Sequence, residues 1–426
     1  MNILLLGSGG REHAFAWKIT QSSLCKKLYV ATGNAGTAQI AENVPIKPTD
    51  FSALSTFCKE KNIQMLVVGN EEPLVAGIWD FFKNQKDLEH IHLIAPSQAG
   101  AMLEGSKDFA KQLMFEFQIP TASYHSFGAD DFEKALQYIY NHSLPIVLKA
   151  DGLAAGKGVL ICPTYSHAEK ALKEMLLDKK FGKASEKVVI EQFLEGIELS
   201  VFVLTDGKNY KILPEAKDYK RIGENDTGLN TGGMGAVSPV PFADRAFMQK
   251  VEQKIVIPTL QALRAKNIAY VGFLFIGLMK VGNEPYVIEF NCRMGDPETQ
   301  VVFPRIENDL VELLLATATQ KLDEIELKMK PETAVTTIVV SAGYPETYET
   351  GKEIKNLEQI ENALIFHAGT KQENGKLLTN GGRVMALTAL AENLPNAIQK
   401  SQKAAQCVSF ENKYFRKDIG QDLLNL

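Results

Sequence analysis

Tryptophan and cysteine are scarce in this chain of 426 residues, with two of the first and five of the second. The cysteines (Cys25, Cys58, Cys162, Cys292 and Cys407) are scattered, odd in number and never spaced as a CxxC pair. That excludes a disulfide framework and a structural zinc site, and it fits a reducing compartment. Positive charge is not in excess: 46 Lys and Arg against 51 Asp and Glu leave a formal net charge of −5. The chain therefore has no basic footprint for nucleic acid, and any phosphate site must be local. Long apolar runs are also missing. Met1-Asn2 leads into Ile3-Leu4-Leu5-Leu6 and then glycines, without the basic start and longer core of a signal peptide, and no stretch approaches a membrane span. We expect a cytoplasmic protein with neither a membrane nor a nucleic-acid partner.

What is present is an ordinary globular composition, 45% apolar and 23% charged. The length exceeds what one core can organise, so about three or four domains are expected. In the first hundred residues the short apolar runs Ile3–Leu6, Lys27–Ala31, Met65–Gly69 and His92–Ala95 alternate with helical patterns at Glu12–Thr20, Phe51–Lys61 and Pro73–Asn84. That rhythm predicts a parallel α/β sheet over residues 1–103, with ligand loops at Gly7–Glu12 and Gly33–Thr37. A helix over Asp108–Phe117 opens a second region, 104–328. Within it, 121–190 reads as a smaller α/β unit with strands Ile146–Ala150 and Val159–Cys162 and helix His167–Asp178. Strands then dominate, broken by a loop at Arg221–Gly235 and a helix at Arg245–Lys266. A third region, 329–426, holds strands Thr336–Val340, Leu364–His367 and Gly382–Thr388 and helix Leu394–Cys407, and reads as mixed α/β.

The turn Asp151-Gly152-Leu153-Ala154-Ala155-Gly156-Lys157-Gly158 lies between two strands. A phosphate-binding P-loop has four residues between its glycines, Ser or Thr after the lysine, and a helix following. None of these holds here, so the turn reads as a hairpin lid whose amides can close over phosphates. Lys149, ending an apolar strand, is placed as a cation with an anion to meet, the alternative being an ammonium that reaches out to solvent. Further on, Glu289, Asn291 and Arg293 recur at every second position of one strand and share a face. A carboxylate and an amide oxygen suit Mg²⁺, and an arginine beside them can hold a phosphate or carboxylate by paired hydrogen bonds. A solvated polar edge would look the same until Gly295-Asp296-Pro297-Glu298-Thr299 follows.

Leu103-Glu104-Gly105-Ser106-Lys107, the run Ile146–Gly158, Asn230-Thr231-Gly232-Gly233-Met234-Gly235-Ala236 and Ile288–Thr299 together resemble the phosphoribosylamine–glycine ligases, or glycinamide ribonucleotide synthetases, of the ATP-grasp superfamily. The likeness spans the chain, from Gly7–His13 to Phe366–Thr370, Thr379–Arg383 and Phe415–Gly420. It implies an ATP-grasp core with a small mobile lid subdomain between the N-terminal sheet and the C-terminal domain. It also implies ligation of glycine to 5-phosphoribosylamine with Mg²⁺ (or Mn²⁺) and ATP, through glycyl phosphate, in purine biosynthesis. That chemistry needs charge neutralisation more than a protein nucleophile.

Carried onto this sequence, the resemblance sets Lys107 and Lys149 on the ATP phosphates beneath the Gly156-Lys157-Gly158 turn. Glu191 and Leu194 belong to the adenine-reading strand, and Glu198 takes the ribose hydroxyls. Glu289 and Asn291 hold the metal; Arg293, Asp218 and Lys220 are the catalytic group, in which Arg293 orients glycine by its carboxylate and Asp218 by its ammonium. Gly9, Gly10, Gly36, Thr37, Asn230, Gly232 and Gly233 are candidates for phosphoribosylamine. The family's Gln-Asp-His-Lys run is Lys217-Asp218-Tyr219-Lys220 here, which puts the fine shape of that pocket in question. Asn70 and Glu72 also depart from the usual residues. The resemblance favours a monomer, with weak dimerisation as the alternative, and the chain's end after Asp418-Ile419-Gly420 suggests one activity. A nicotinamide dehydrogenase is disfavoured, because the dinucleotide fingerprint needs glycine where Glu12 stands and an acid closing the second strand. A related ATP-grasp ligase and a non-enzymatic nucleotide binder remain as rivals.

Overall fold

The computed structural model describes residues 1–154 and 158–425. Among them no helix is long and apolar enough to cross a membrane, and the five cysteines are free thiols. The expected mixed α/β architecture is present. Strands Asn2–Gly7, Lys27–Thr32, Glu42–Val44, Ile63–Val68 and His92–Ile94 form a parallel sheet with Asn2–Gly7 at its centre, paired with Lys27–Thr32 and Ile63–Val68. Ile3 to Leu6 have no exposed surface, since helices cover both faces of such a sheet and its strands read as unbroken apolar runs. The strand order reverses at Asn2–Gly7, so the loops after it and after Ile63–Val68 open into the crevice where such sheets bind ligands. Glu42–Val44 is too short to show a pattern. The stretch Pro73–Asn84 is two helices, Glu71–Val75 and Ile78–Lys83, because Gly77 between them has φ +88, a left-handed value that stops a helix.

The smaller unit is an antiparallel sheet in the order Tyr124–Gly128, Lys187–Gln192, Ile146–Ala150, Val159–Cys162. Helices Phe132–Tyr140 and Tyr165–Leu176 pack on it, and Ile139, Leu148, Leu172 and Ile190 belong to a core of its own. A unit with a separate core can move as a body.

The central sheet is antiparallel: Tyr210–Ile212, Ile197–Thr205, Gly272–Val281, Glu284–Asn291. The helix expected at Arg245–Lys266 is found as Arg245–Val251 and Ile257–Ala265, joined by a π turn. A last five-stranded sheet runs Lys217–Asp218, Gly235–Ser238, Thr333–Val340, Arg383–Ala391, Leu364–His367, with helix Leu394–Cys407 against it. Two of its strands come from the middle of the chain, so residues 217–238 stitch the central region to the C-terminal one. The expected loop Arg221–Gly235 is instead largely a hairpin, Arg221–Gly223 with Thr227–Asn230, turning through Asn225 and Asp226 at positive φ. Apart from Ile222 and Leu229 its residues are polar or glycine, and all are half or fully exposed, so no apolar period marked it as strand.

Candidate active site

Three strands of the central sheet build one polar face. Their register sets Glu198 opposite Met279, Ser200 opposite Gly277, Gly277 opposite Glu289, and Phe275 opposite Asn291. Side chains two apart share a face, so Glu198 and Ser200 lie across from Glu289 and Asn291, and the middle strand contributes glycine between them. A Cβ on Gly277 would sit 3.2 Å from Glu289 Cγ. The register shifts between Gly277 and Leu278, leaving Ile288 as an extra residue. Such a bulge re-aims side chains beside a site. Here Val287 and Phe290 both enter the core while Glu289 stays on the polar face. Among the described residues no three His, Cys, Asp or Glu side chains could hold a metal alone. A carboxylate and an amide do fit a hard cation that completes its shell with water and nucleotide phosphates.

The strand ends at Asn291, so Arg293 does not continue that face as the alternation suggested. Its guanidinium turns to the N-terminal region, with Nη2 2.9 Å from Glu104 and Nε 3.2 Å from Glu71. Burial opposes the arginine's charge, but the two carboxylates outweigh it and raise its pKa. Glu71 is pushed down to about 2: burial works against ionisation, and Arg293 and Arg11 overcome it.

The lysines approach from the side of the smaller antiparallel unit. Lys107 starts helix Lys107–Glu116, capped by the Ser106 hydroxyl on Phe109 N, and donates to Gly152 O at 3.2 Å. Asp151, just past the strand Ile146–Ala150, accepts from Ser106 Oγ and Asp108 N, which ties that strand end to this helix start. Burial lowers the Lys107 pKa, partly offset by Glu289. Lys149 Nζ donates to the carbonyl of the bulge residue Ile288 and lies 3.0 Å from Glu191 Oε2, which Lys111 meets at the same distance. Lys111, one helical turn after Lys107, was not singled out from the sequence. Burial pushes it down to about 8. Glu191 sits within the ladder between Tyr124 and Val147, and Leu194 lies past the strand end at Gln192. Gly158 O accepts from Ala150 N at the hairpin base. Gly156 and Lys157 lie outside the described residues.

Lys220 links the two sides, 2.5 Å from Glu198 and 3.2 Å from Asp218. Burial opposes its charge, yet Asp218 and Glu198 raise it well above the ordinary range. Asp218 is itself raised, chiefly by burial. Glu298, absent from the sequence-based candidates, is buried, accepts from Ser200 Oγ at 3.1 Å, and is raised to about 7 by burial and then by Asp218. The two departures from the family run point the other way. Lys217 and Tyr219 both reach Asp422, on the opposite face of the segment that carries Asp218 and Lys220.

At the remaining corner all three regions meet. Arg383 bonds the carbonyls of Gly232 and Asp296 and lies 3.2 Å from the Asp296 carboxylate. Gln300 also donates to Asp296. A Cβ on Gly9 would sit 3.1 Å from Asp296 Oδ2 and one on Gly10 2.7 Å from Gln300, so those side-chain ends would have to shift; one on Gly233, at φ +115, would sit 2.4 Å from the Pro297 ring, so glycine is needed there. Glu12 accepts from Gly9 N and Arg11. Asn230 is exposed at the hairpin end. Gly36 and Thr37 are buried in a turn closed by Asn34, whose Oδ1 accepts both their amides, so they shape the corner and keep their hydrogen bonds inside it. Arg383 and Asp296 stood within motifs visible in the sequence, but only the fold brings them together.

Family models for phosphoribosylglycinamide synthetase match the chain in three consecutive pieces: the N domain over residues 1–104, the ATP-grasp (A) domain over 105–299 and the C domain over 334–422. The phosphoribosylamine–glycine ligase of Haemophilus influenzae is 45% identical over 425 residues, covering 99% of this chain and 98% of that one. The crystal structure of phosphoribosylamine–glycine ligase from Thermotoga maritima superposes with a TM-score of 0.85 at 33% identity, covering 98% of this chain and all of that one. Biotin carboxylase from Campylobacter jejuni shares the fold, at TM-score 0.71 and 15% identity over the whole of this chain and 95% of its own.

Proposed function

The chain belongs to the phosphoribosylglycinamide synthetase family, and from that membership we infer that it is an ATP-dependent ligase joining glycine to 5-phosphoribosylamine, giving glycinamide ribonucleotide, ADP and phosphate. ATP-grasp enzymes work with ATP and a divalent cation. Mg²⁺ is the ion proposed here, held by Glu289 and Asn291, because both donors are hard oxygens. When bound, it would neutralise charge on the transferring phosphoryl group.

The chain's own residues do the rest. Lys107 and Lys149 approach the polar face from the lid side and are assigned to the phosphates; Lys111 and Glu191 fix Lys149 in place. Glu198 is assigned to the ribose, and backbone past Gln192, at Leu194, to adenine. The glycine carboxylate attacks the γ-phosphorus and ADP departs, leaving glycyl phosphate. The amine of phosphoribosylamine then adds to the carbonyl carbon and phosphate leaves. Burial and then Asp218 raise the proton affinity of Glu298, while burial and Glu198 raise that of Asp218, and the ammonium of glycine beside the two carboxyls would relieve both. Arg293 is assigned to the glycine carboxylate while remaining braced by Glu71 and Glu104. Gly9, Gly10, Gly232, Gly233 and Arg383 line the three-region corner proposed for phosphoribosylamine, and the protein is proposed to act as a monomer.

The observation that carries this reading is the match of all three family domains in order, with Glu198, Ser200, Glu289 and Asn291 on one sheet face. It is tested by phosphate release. Steady turnover should require ATP, glycine and phosphoribosylamine together, and turnover indifferent to glycine would refute it.

A further inference from the structure

The closing motif Phe415–Gly420 has no part in the chemistry above, yet Arg416 is among the largest fully buried side chains. It donates to Arg221 O and to Asp226, and pairs with Asp418. Its neighbours repeat the attachment. Tyr414 Oη donates to Ile222 O, Asp418 accepts from Asn225 N, and Asp422 takes Tyr219 Oη. All these contacts fall on one short piece of chain, the hairpin Arg221–Asn230 and the segment leading into it.

The apolar footing of that hairpin is slight: Ile222, half-buried, packs against the main core. Residues 224–230 are exposed, Leu229 at 49%, and an element with few buried contacts opens easily unless something ties it. Its entry is Lys220, on Glu198 and Asp218; its exit is Thr231–Gly233, against Arg383 and Pro297. It therefore joins the side of the site assigned to the nucleotide to the corner assigned to phosphoribosylamine, with its turn exposed to solvent.

We propose that the segment Tyr414–Asp422 is a clamp, with Arg416 its positioning residue, which holds the hairpin Arg221–Asn230 as a wall between the acyl phosphate and solvent. The inference rests on the ligase reading. The reaction that the wall suppresses is hydrolysis. Water adds to the carbonyl carbon of glycyl phosphate, the bond from that carbon to the phosphate oxygen breaks, and glycine, inorganic phosphate and a proton are released.

The test measures phosphate released per glycinamide ribonucleotide formed in the full-length protein, unaltered and as Asp226→Asn, Tyr414→Phe and Arg416→Met. Asp226 and Tyr414 are partly exposed, so their variants keep a folded comparison if Arg416→Met fails to fold. The unaltered protein should give one phosphate per product. The variants should give at least about two, with the KM for phosphoribosylamine raised and the affinity for an ATP analogue unchanged. A ratio that stays at one in folded variants, with only the melting temperature lowered, overturns the clamp. No product from the unaltered protein with both substrates overturns the ligase reading, and the clamp with it.

Discussion

Glu298 holds a carboxyl whose ionisation is poised near neutrality, raised to about 7 by burial and by Asp218. If it shares the glycine ammonium with Asp218, the KM for glycine should fall about tenfold as pH rises from 6 to 8. Glu298→Gln should remove that dependence; a profile unchanged by the substitution would exclude the role. The shift also bears on stability. Between about 4.5 and about 7 the folded chain holds a proton that the unfolded chain has released, so this group's contribution becomes less favourable as pH rises through that window. Glu289 is a simpler case. Glu289→Ala should lower kcat on the order of a hundredfold or more, with recovery at high Mg²⁺ limited because one of the two proposed protein donors is gone. Titration of turnover against Mg²⁺ checks it. At this scale the sequence was informative where chemistry and period coincide: Glu289 and Asn291 could be singled out because they alternate on a strand. Glu298 could not, since its importance comes from Ser200 and Asp218, which are remote in the chain and adjacent only after folding.

Helix Gly10–Ile19 and strand Leu364–His367 meet through a pair of buried histidines. His367 N donates to His13 Nδ1 at 2.8 Å, and the rings lie 5.5 Å apart. The accepting nitrogen must be unprotonated. Burial and the neighbouring ring hold His13 down to about 3, and burial holds His367 down to about 4. Unfolded histidine protonates near 6.5, so below that pH the unfolded chain gains protons the folded one refuses, and stability falls by about 1.4 kcal/mol per pH unit for each group. Urea unfolding at pH 7, 6 and 5 should show that loss. His13→Gln together with His367→Gln should flatten the slope, and a slope as steep in the double variant would show that other groups set it. Most helices and strands were legible because their apolar periods are strong, as in Ile146–Ala150 and Leu394–Cys407, which fall where the pattern placed them. The bulge at Ile288 was not, since a single inserted residue leaves the apolar alternation looking intact on either side. The polar hairpin at Arg221–Asn230 had no apolar period to read.

One apolar core runs through all three regions, and Arg293 adds a charged joint between the central strand and the N-terminal region. It leaves the central strand, crosses to Glu71 and Glu104 of the N-terminal region, and also donates to Met294 O. Glu104 is fully engaged on the same side, accepting from Cys292 N and Cys292 Sγ. Breaking a buried pair from one end strands the other charge. Arg293→Met should therefore cost about 3–5 kcal/mol of stability, besides removing the group assigned to the glycine carboxylate. Lysine offers one nitrogen where three are used, so Arg293→Lys should recover little. The decisive comparison adds Glu104→Gln to Arg293→Met. If the loss comes from an uncompensated carboxylate, the double variant will be more stable than the sum of the single effects predicts, by about 1–3 kcal/mol, while activity stays absent. Strictly additive unfolding energies would mean that Arg293 and Glu104 stabilise the joint independently. The position of Arg293 would then owe nothing to Glu104 and would rest on Glu71 and the Met294 carbonyl.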